Sequence, residues 1–244
     1  MDQSCYGKFS EVEKKHWWFS GRRTILRSLF HQIDLPKNSR ILDAGCGTGG
    51  SFELLAPLGN IYGMDVNESA LSAAGEKGYV SLSRCDLPDE IPFGGTRFDL
   101  IVLLDVLEHL EKDRESLDAL RQRLNPGGWL LVTVPAYPWM WSGHDVLNHH
   151  YRRYTRRSLL GLFQELDMEI VWSSYFNSIL FPVALLARFL HAVAGQKGLA
   201  KDLDIPPRIL NKILYTIFQS ERHLIHAKGL PFGLSLLALA KARS

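Results

Sequence analysis

Short apolar runs alternate with amphipathic segments along most of the chain, which is typical of a protein in which strands and helices follow one another. The run 98–104 is almost unbroken in its apolar character, as expected for a parallel strand buried on both faces of a sheet. Further strands are predicted to end near residue 43 and to span 60–64, 79–84, 129–135, 168–175 and 234–242, and helices to span 51–58, 67–77, 114–124, 155–166 and 208–227. This order predicts an α/β fold.

Two segments depart from the alternation. Residues 10–33 predict a pair of basic amphipathic helices with Trp17, Trp18 and Phe19 at their middle, and three adjacent aromatic side chains need a surface to cover. Residues 176–230 predict a helical insertion before the last strand. Its uncharged apolar run is too short to span a bilayer, so it would lie on a membrane interface or cover a binding site.

Composition favours one domain, 1–244, because 244 residues with 46% apolar content are enough for a single core. The predicted elaborations are an N-terminal helical cap at 1–35 and the insertion at 176–230. Cys5, Cys46 and Cys85 form no C-x-x-C pair, which predicts a reducing compartment and neither a disulfide framework nor a zinc site. The N-terminus lacks the layout of a secretion signal, so we expect a cytoplasmic protein.

Charge is unevenly distributed although the total is only +2. Residues 1–151 carry a net charge of −5 and residues 152–244 a net charge of +7. The basic part predicts an anionic partner, such as a phosphorylated or lipid-linked substrate or a membrane surface, with a solvated basic face as the alternative.

The stretch 40–50 reads R-I-L-D-A-G-C-G-T-G-G and joins a strand to a helix, the arrangement that open α/β sheets use to bind nucleotide-like ligands. A dinucleotide site has the spacing G-x-G-x-x-G, which this loop lacks. Asp43 beside the loop would repel a pyrophosphate, whereas it suits a cationic ligand such as a sulfonium with a free amino group.

In these residues the stretch resembles motif I of the class I S-adenosylmethionine-dependent methyltransferases. The E-H pair at 108–109 and the P-G-G turn at 126–128 are similar to those of the small-molecule, quinone-biosynthesis type, and the matches extend over about 40–135. The resemblance implies a Rossmann-like, seven-stranded, mostly parallel sheet with helices on both faces and an antiparallel last strand. It implies S-adenosylmethionine as the cofactor, with the binding residues Asp43, Gly45, Cys46, Gly47, Gly49, Asp65, Val66, Asp86, Leu87, Leu104 and Arg22.

Two strand ends carry the predicted nucleoside contacts. Asp65 ends the second strand, where an acid can accept hydrogen bonds from both ribose hydroxyls, and Val66 could lie against the adenine. By resemblance, Asp86 would accept from the adenine amino group and the backbone of Leu87 would donate to the ring. A turn role is the alternative for Asp86.

The resemblance also predicts how the methionine part would be held. The backbone near Leu104 would accept from the amino group, and Arg22 or Arg23 would pair with the carboxylate, because a guanidinium binds a carboxylate in bidentate fashion. The alternative is that the helix carrying these arginines only packs on the sheet.

Residues 136–157 are expected to bind the acceptor, since they follow the fifth strand and are rich in aromatic, histidine and arginine residues. The candidate general base is His144 with the adjacent Asp145, and His109 is the second candidate. These residues could instead brace the loop. A metal site from His144, Asp145, His149 and His150 matches no known spacing, so no metal is predicted.

We therefore expect transfer of a methyl group to a small molecule, on an oxygen of an apolar, lipid-linked or anionic metabolite. Nucleic acid is not expected as the acceptor, because the sequence has no N-P-P-Y-type motif. The alternatives are an NAD-type oxidoreductase and a non-catalytic S-adenosylmethionine-binding module. The sequence does not indicate an oligomeric state.

Overall fold

Seven strands form one sheet, whose members are β1 (Ser39–Ala44), β2 (Gly59–Asp65), β3 (Ser81–Arg84), β4 (Phe98–Leu104), β5 (Leu124–Pro135), β6 (Met168–Phe176) and β7 (Ser235–Ala242). Their order across the sheet is 3-2-1-4-5-7-6. Strand β7 runs antiparallel to both of its neighbours, and the other pairs are parallel. The predicted Rossmann-like sheet with an antiparallel last strand is therefore confirmed.

The computed structural model of the chain describes residues 12–186, 204–225 and 229–243. Predicted features within 1–11, 187–203 and 226–228, which include the start of the N-terminal cap and the middle of the insertion, lie outside the described residues.

The sheet changes direction at β1, which pairs with β2 on one side and with β4 on the other. Asp43 of β1 lies opposite Val102 of β4, so the carboxyl ends of these two strands leave the sheet side by side. Connections diverge at such a point and leave a crevice between the loops, which is where open α/β sheets bind ligands.

The α-helices that lie wholly within the described residues include α1 (Trp17–Phe30), α2 (Phe52–Leu55), α3 (Glu68–Ala74), α4 (Asp113–Arg121), α5 (Gly143–Leu147), α6 (Arg156–Glu165) and α7 (Arg208–Ser220). The side chains of Asn67 and Thr155 accept hydrogen bonds from backbone amides in the first turns of α3 and α6, as Asn and Ser/Thr N-caps do. Helix α4 ends three residues before the predicted end, because Leu124 already belongs to β5.

Helices cover both faces of the sheet. Leu117 of α4 and Phe163 of α6 are buried in the cluster on one face. On the other face, Ile25 of α1, Leu54 of α2 and Phe218 of α7 share a second buried cluster. Helix α1 is thus a sheet-packing helix as well as part of the predicted cap.

The predicted insertion joins β6 to β7, and its described part contains α7. Helix α7 packs closely on α1 at Gly21, where an added Cβ would lie 2.4 Å from the Phe218 ring. The Trp17 ring meets the same phenyl ring edge-on at a centroid distance of 5.6 Å.

Among the described residues, no helix combines the length and apolar character needed to cross a membrane.

Gly21 and Gly161 offer a matched pair of helical glycines. Replacing glycine by alanine in a helix ordinarily stabilises by about 0.5–1 kcal/mol, and we expect this for Gly161→Ala, whose Cβ would meet nothing within 4 Å. Gly21→Ala should instead destabilise by about 1–3 kcal/mol, because the α1–α7 contact would be overpacked. Urea unfolding measures both, and equal signs for the two variants would contradict the described packing.

Candidate active site

The glycine loop after β1 turns back against the end of β2. The amides of Gly45 and Cys46 donate to the carbonyl of Met64 at 2.8 and 3.0 Å. Gly45 has a φ of +77°, and an added Cβ would lie 2.4 Å from the Val106 side chain, so this position needs glycine on two grounds. At Gly47 an added Cβ would meet nothing within 4 Å, so the backbone there faces open space.

Asp65 joins this loop to the tip of β2. One carboxylate oxygen accepts from the Gly47 amide at 2.8 Å and the other from the Asn67 amide at 2.9 Å. Beside it, Val66 is 51% exposed and thus accessible to a ligand. The predicted ribose ligand therefore lies against the open side of the glycine loop.

Asp43 is buried beneath the loop and accepts a hydrogen bond from the Tyr79 hydroxyl at 2.7 Å. Burial raises the pKa of Asp43 to about 7, although the Tyr79 hydrogen bond opposes the shift. Burial likewise raises the pKa of Cys46, so its thiol stays protonated at neutral pH. No sequence signal identified Tyr79, because only the fold brings it next to Asp43.

Arg22 reaches the carboxyl end of β4 from helix α1. Its buried guanidinium pairs with the Asp105 carboxylate, and Nη1 lies 3.5 Å from the Leu104 carbonyl oxygen. The guanidinium also lies over the Trp18 ring, 4.8 Å from its centroid. Its Nε is buried without a hydrogen-bond partner among the described residues. Arg23, the alternative, donates to backbone carbonyls at the N-terminal segment instead.

The segment after β3 lies beside the β2 tip, because the Cys85 amide donates to the Asp65 carbonyl at 3.1 Å. Asp86 is exposed there, whereas Leu87 is half-buried against the core. Asp86 and Leu87 thus follow the end of β3, which is the position that the predicted adenine contacts require.

Three imidazoles gather on the other side of the β4 end. His109 ends the turn that follows β4, and its ring meets that of His150 edge-on at a centroid distance of 4.6 Å. The His144 and His150 rings are 6.2 Å apart. The sequence identified His109 and His144 as candidate bases, and only the fold shows that the ring of His150 lies close to both.

Asp145 pairs with His150, whereas the sequence had linked it to His144 only as an adjacent residue. Its fully buried carboxylate accepts from Nδ1 of His150 at 2.9 Å and from Nε of Arg153 at 2.6 Å. The His144 ring contacts the Asn148 amide at 3.1 Å. Consecutive residues on helix α5 project in different directions, so sequence neighbours there need not share a partner.

Burial alone would raise the pKa of Asp145, but the hydrogen bonds from His150 and Arg153 more than offset it and hold the pKa well below its usual range. The neighbouring Glu108 is buried, and burial together with the charge of Asp105 raises its pKa. Partial desolvation, followed by repulsion from His150, lowers the pKa of His109, which is exposed at the surface of the cluster.

Glu108, His109 and His150 each place one ligand atom within 4.8 Å of the others, an arrangement that can hold a metal ion. One carboxylate oxygen of Glu108 is buried without a hydrogen-bond partner among the described residues. Of the four residues considered from the sequence as metal ligands, only His150 belongs to this group.

The arginines that follow the histidines are engaged inside the protein. Arg152 pairs with Asp113 at 2.7 Å, Arg153 pairs with Asp145, and Arg156 donates to the Ser173 hydroxyl at 2.9 Å. Three of the cationic residues in the basic part 152–244 therefore have partners inside the protein.

Aromatic and apolar side chains lie at the same edge of the sheet as the histidines. Tyr137 stacks on Tyr175 at a centroid distance of 5.3 Å, and Trp139 beside it is 65% exposed. Pro135 at the end of β5 and Phe176 at the end of β6 both pair with Ser235 at the start of β7, so the loops next to them share one edge. The exposed apolar side chains in the segments that adjoin these strand ends include Trp139, Trp141, Ile179, Val183, Leu186 and Phe232.

Asp145→Asn should destabilise the protein by about 3–5 kcal/mol at pH 7, because it leaves the buried Arg153 without its counter-charge. The pKa of Asp145 is lowered on folding, so its contribution is present above the unfolded pKa and lost as the pH falls. The difference between wild type and variant should therefore shrink below about pH 4. Urea unfolding at several pH values measures this difference in the free energy of unfolding.

Asp118→Asn is the control, since Asp118 forms a partly exposed pair with Arg121 and should change stability by about 1 kcal/mol or less. A similar loss for the two variants, or a loss from Asp145→Asn that does not depend on pH, would contradict the assigned role.

A family model described as a methyltransferase domain matches residues 18–173 of the chain. The ubiquinone biosynthesis O-methyltransferase of Schizosaccharomyces pombe is 27% identical over 151 residues, which are 52% of this chain and 53% of that protein. The enzyme of the same name from Hydrogenovibrio crunogenus is 25% identical over 175 residues, 66% of each protein. The chain thus spans between about half and two thirds of these curated relatives.

Among solved structures, phosphoethanolamine N-methyltransferase 2 of Haemonchus contortus in complex with S-adenosyl-L-methionine has a TM-score of 0.60 at 16% identity, and the match covers 90% of this chain and 52% of that one. This likeness concerns the fold alone. Because the family model covers more than half of the sequence and the sheet order is that of the class I fold, the chain belongs to the methyltransferase domain family, in its S-adenosylmethionine-dependent class I.

Proposed function

We propose that the protein binds S-adenosylmethionine at the glycine loop and transfers its methyl group to an oxygen of a small, apolar or lipid-linked acceptor. The observation that carries the proposal is the acidic loop at the sheet's switch point, where Asp65 bonds to the Gly47 amide above the buried Asp43. The names of the ubiquinone relatives support oxygen as the methylated atom.

The residues present fit this cofactor. The open space at Gly47 leaves room beside the loop, and the unpartnered Nε of Arg22 offers a donor for a carboxylate. A bound cation would favour the ionised form of Asp43, whose pKa of about 7 leaves it partly protonated at neutral pH. Asp65 would bind the ribose, and Val66, Asp86 and Leu87 would hold the adenine. The bound cofactor would supply the electrophilic methyl group.

The protein's own task is to align the acceptor and to exclude water, because methyl transfer from a sulfonium is an in-line displacement. We assign acceptor activation to His109 and His150, with Asp145 orienting His150 and His144 at the rim. A hydroxyl proton of the acceptor would pass to an imidazole nitrogen of this cluster.

An apolar acceptor is favoured over an anionic one. Tyr137, Tyr175 and Trp139 offer aromatic faces at the same edge of the sheet as the histidines, whereas Arg152, Arg153 and Arg156 have internal partners. The exposed apolar side chains on the loops of this edge would suit peripheral contact with a membrane that supplies a lipid-linked acceptor. The free cysteines at 46 and 85 suit the reducing cytoplasm, where we expect the protein to act.

The oxidoreductase alternative is disfavoured by charge, since a pyrophosphate at this loop would approach Asp43 and Asp65. A titration with NADH monitored by fluorescence would reveal such a site. A non-catalytic module would bind S-adenosylmethionine without turnover.

Asp65→Ala should weaken S-adenosylmethionine binding by about 100-fold, because hydrogen bonds to a charged group contribute about 1.5–3 kcal/mol each. Calorimetry measures the affinity, and circular dichroism verifies the fold. Asp89→Ala, an exposed neighbour of the predicted adenine site, is the control and should bind as wild type. Wild-type affinity in Asp65→Ala would remove the cofactor assignment.

His109→Asn and His150→Asn should each lower kcat by about 100-fold without changing the affinity for S-adenosylhomocysteine, since a general base contributes at least that factor. Turnover is followed as labelled methyl groups transferred from S-adenosylmethionine into apolar extract. His149→Asn is the control, because His149 is exposed at a φ of 56° that asparagine tolerates. Unchanged kcat in both variants would refute the assignment, and activity lost to a chelator and restored by a divalent metal would assign the cluster to metal binding instead.

A further inference from the structure

The N-terminal segment ahead of α1 lies directly on the glycine loop. The Thr48 hydroxyl donates to one carboxylate oxygen of Glu13 at 2.7 Å, and Thr48 itself is buried. An added Cβ on Gly50 would lie 2.5 Å from the other oxygen of Glu13. The Glu13 carboxylate therefore rests on the backbone of the loop.

The same segment is also bound to the insertion between β6 and β7. Asn211 of α7 accepts from the Trp17 amide at 2.9 Å, and its side-chain amide donates to the Lys15 carbonyl at 2.8 Å. Arg23 of α1 donates to the Glu13 carbonyl at 2.8 Å. Residues 13–17 thus connect the glycine loop to α7.

Helices α1 and α7 form one packed body beneath this segment. Phe218 fills the surface at Gly21, the Thr24 and Tyr215 hydroxyls are 3.3 Å apart, and the Trp17 ring closes the contact. Interiors packed at this density transmit a displacement instead of absorbing it. A shift of α7 should therefore displace Glu13.

We propose that Glu13 is a positioning residue of the cofactor loop and that Asn211 couples it to the insertion, so that the cofactor site is complete only when the N-terminal segment and α7 are docked together. The coupling to cofactor rests on the proposed function. Glu13 also adds a carboxylate to those of Asp43 and Asp65, which strengthens the preference for a cationic ligand.

Hydrogen exchange on the ligand-free protein tests the contact without any cofactor. Glu13→Ala and Thr48→Val should each speed amide exchange in 45–50 several-fold, and the double variant should exchange no faster than the faster single one, because both remove the same hydrogen bond. Thr48→Ser keeps the hydroxyl and should retain protection, as should Glu115→Ala on the exposed side of α4. Additive effects, or unchanged exchange in Glu13→Ala, would overturn the proposal.

Calorimetry with S-adenosylhomocysteine tests the coupling to the insertion. Glu13→Ala should weaken binding about ten-fold and Asn211→Ala about five-fold, which are effects in the range of measured couplings between sites. Lys212→Ala, its exposed neighbour on α7, should bind as wild type. If Asn211→Ala binds S-adenosylhomocysteine as tightly as Lys212→Ala does, the coupling between the insertion and the cofactor site is refuted. If the wild-type protein does not bind S-adenosylhomocysteine at all, the proposed function is refuted instead. The hydrogen-exchange experiment then still tests the contact between Glu13 and the glycine loop.

Discussion

Two residues at the end of β2 hold the glycine loop, and the organisation of the site depends on that attachment. The Met64 carbonyl receives the first two loop amides, and the Asp65 carboxylate receives the amide of Gly47. A loop rich in glycine loses much conformational entropy on ordering, so it needs such fixed acceptors to adopt one shape. Because the acceptors belong to a buried parallel strand, the loop is built on the rigid part of the fold.

The two sides of the proposed reaction meet at the end of β4. Val106 packs against Gly45, Asp105 pairs with Arg22, and the ring of His109 contacts that of His150. The five residues 105–109 thus contact the glycine loop, helix α1 and the 136–157 loop. Because one short turn links the proposed cofactor site to the proposed acceptor site, the fold can align a nucleophile with a methyl group.

Two buried carboxyl groups at the site have hydrogen-bond partners inside the protein. Asp145 holds His150 and Arg153, and Tyr79 holds Asp43. A buried ionised group is tolerated only when hydrogen bonds and counter-charges replace its lost water. For the same reason, three arginines of the basic part 152–244 have partners inside the protein, and these are Arg152, Arg153 and Arg156.

The sequence by itself determined the succession of strands and helices in the first half of the chain, the glycine loop, and the acids at strand ends, because these follow from local patterns of apolar, glycine and capping residues. It also identified Asp43, Asp65, Arg22 and His109 as candidates. Only the tertiary structure decided that Asp145 serves His150, that Tyr79 lies on Asp43, and that Glu13 rests on the glycine loop. Those contacts join residues far apart in the chain or on different sides of a helix, and no periodicity encodes which side chains packing will bring together.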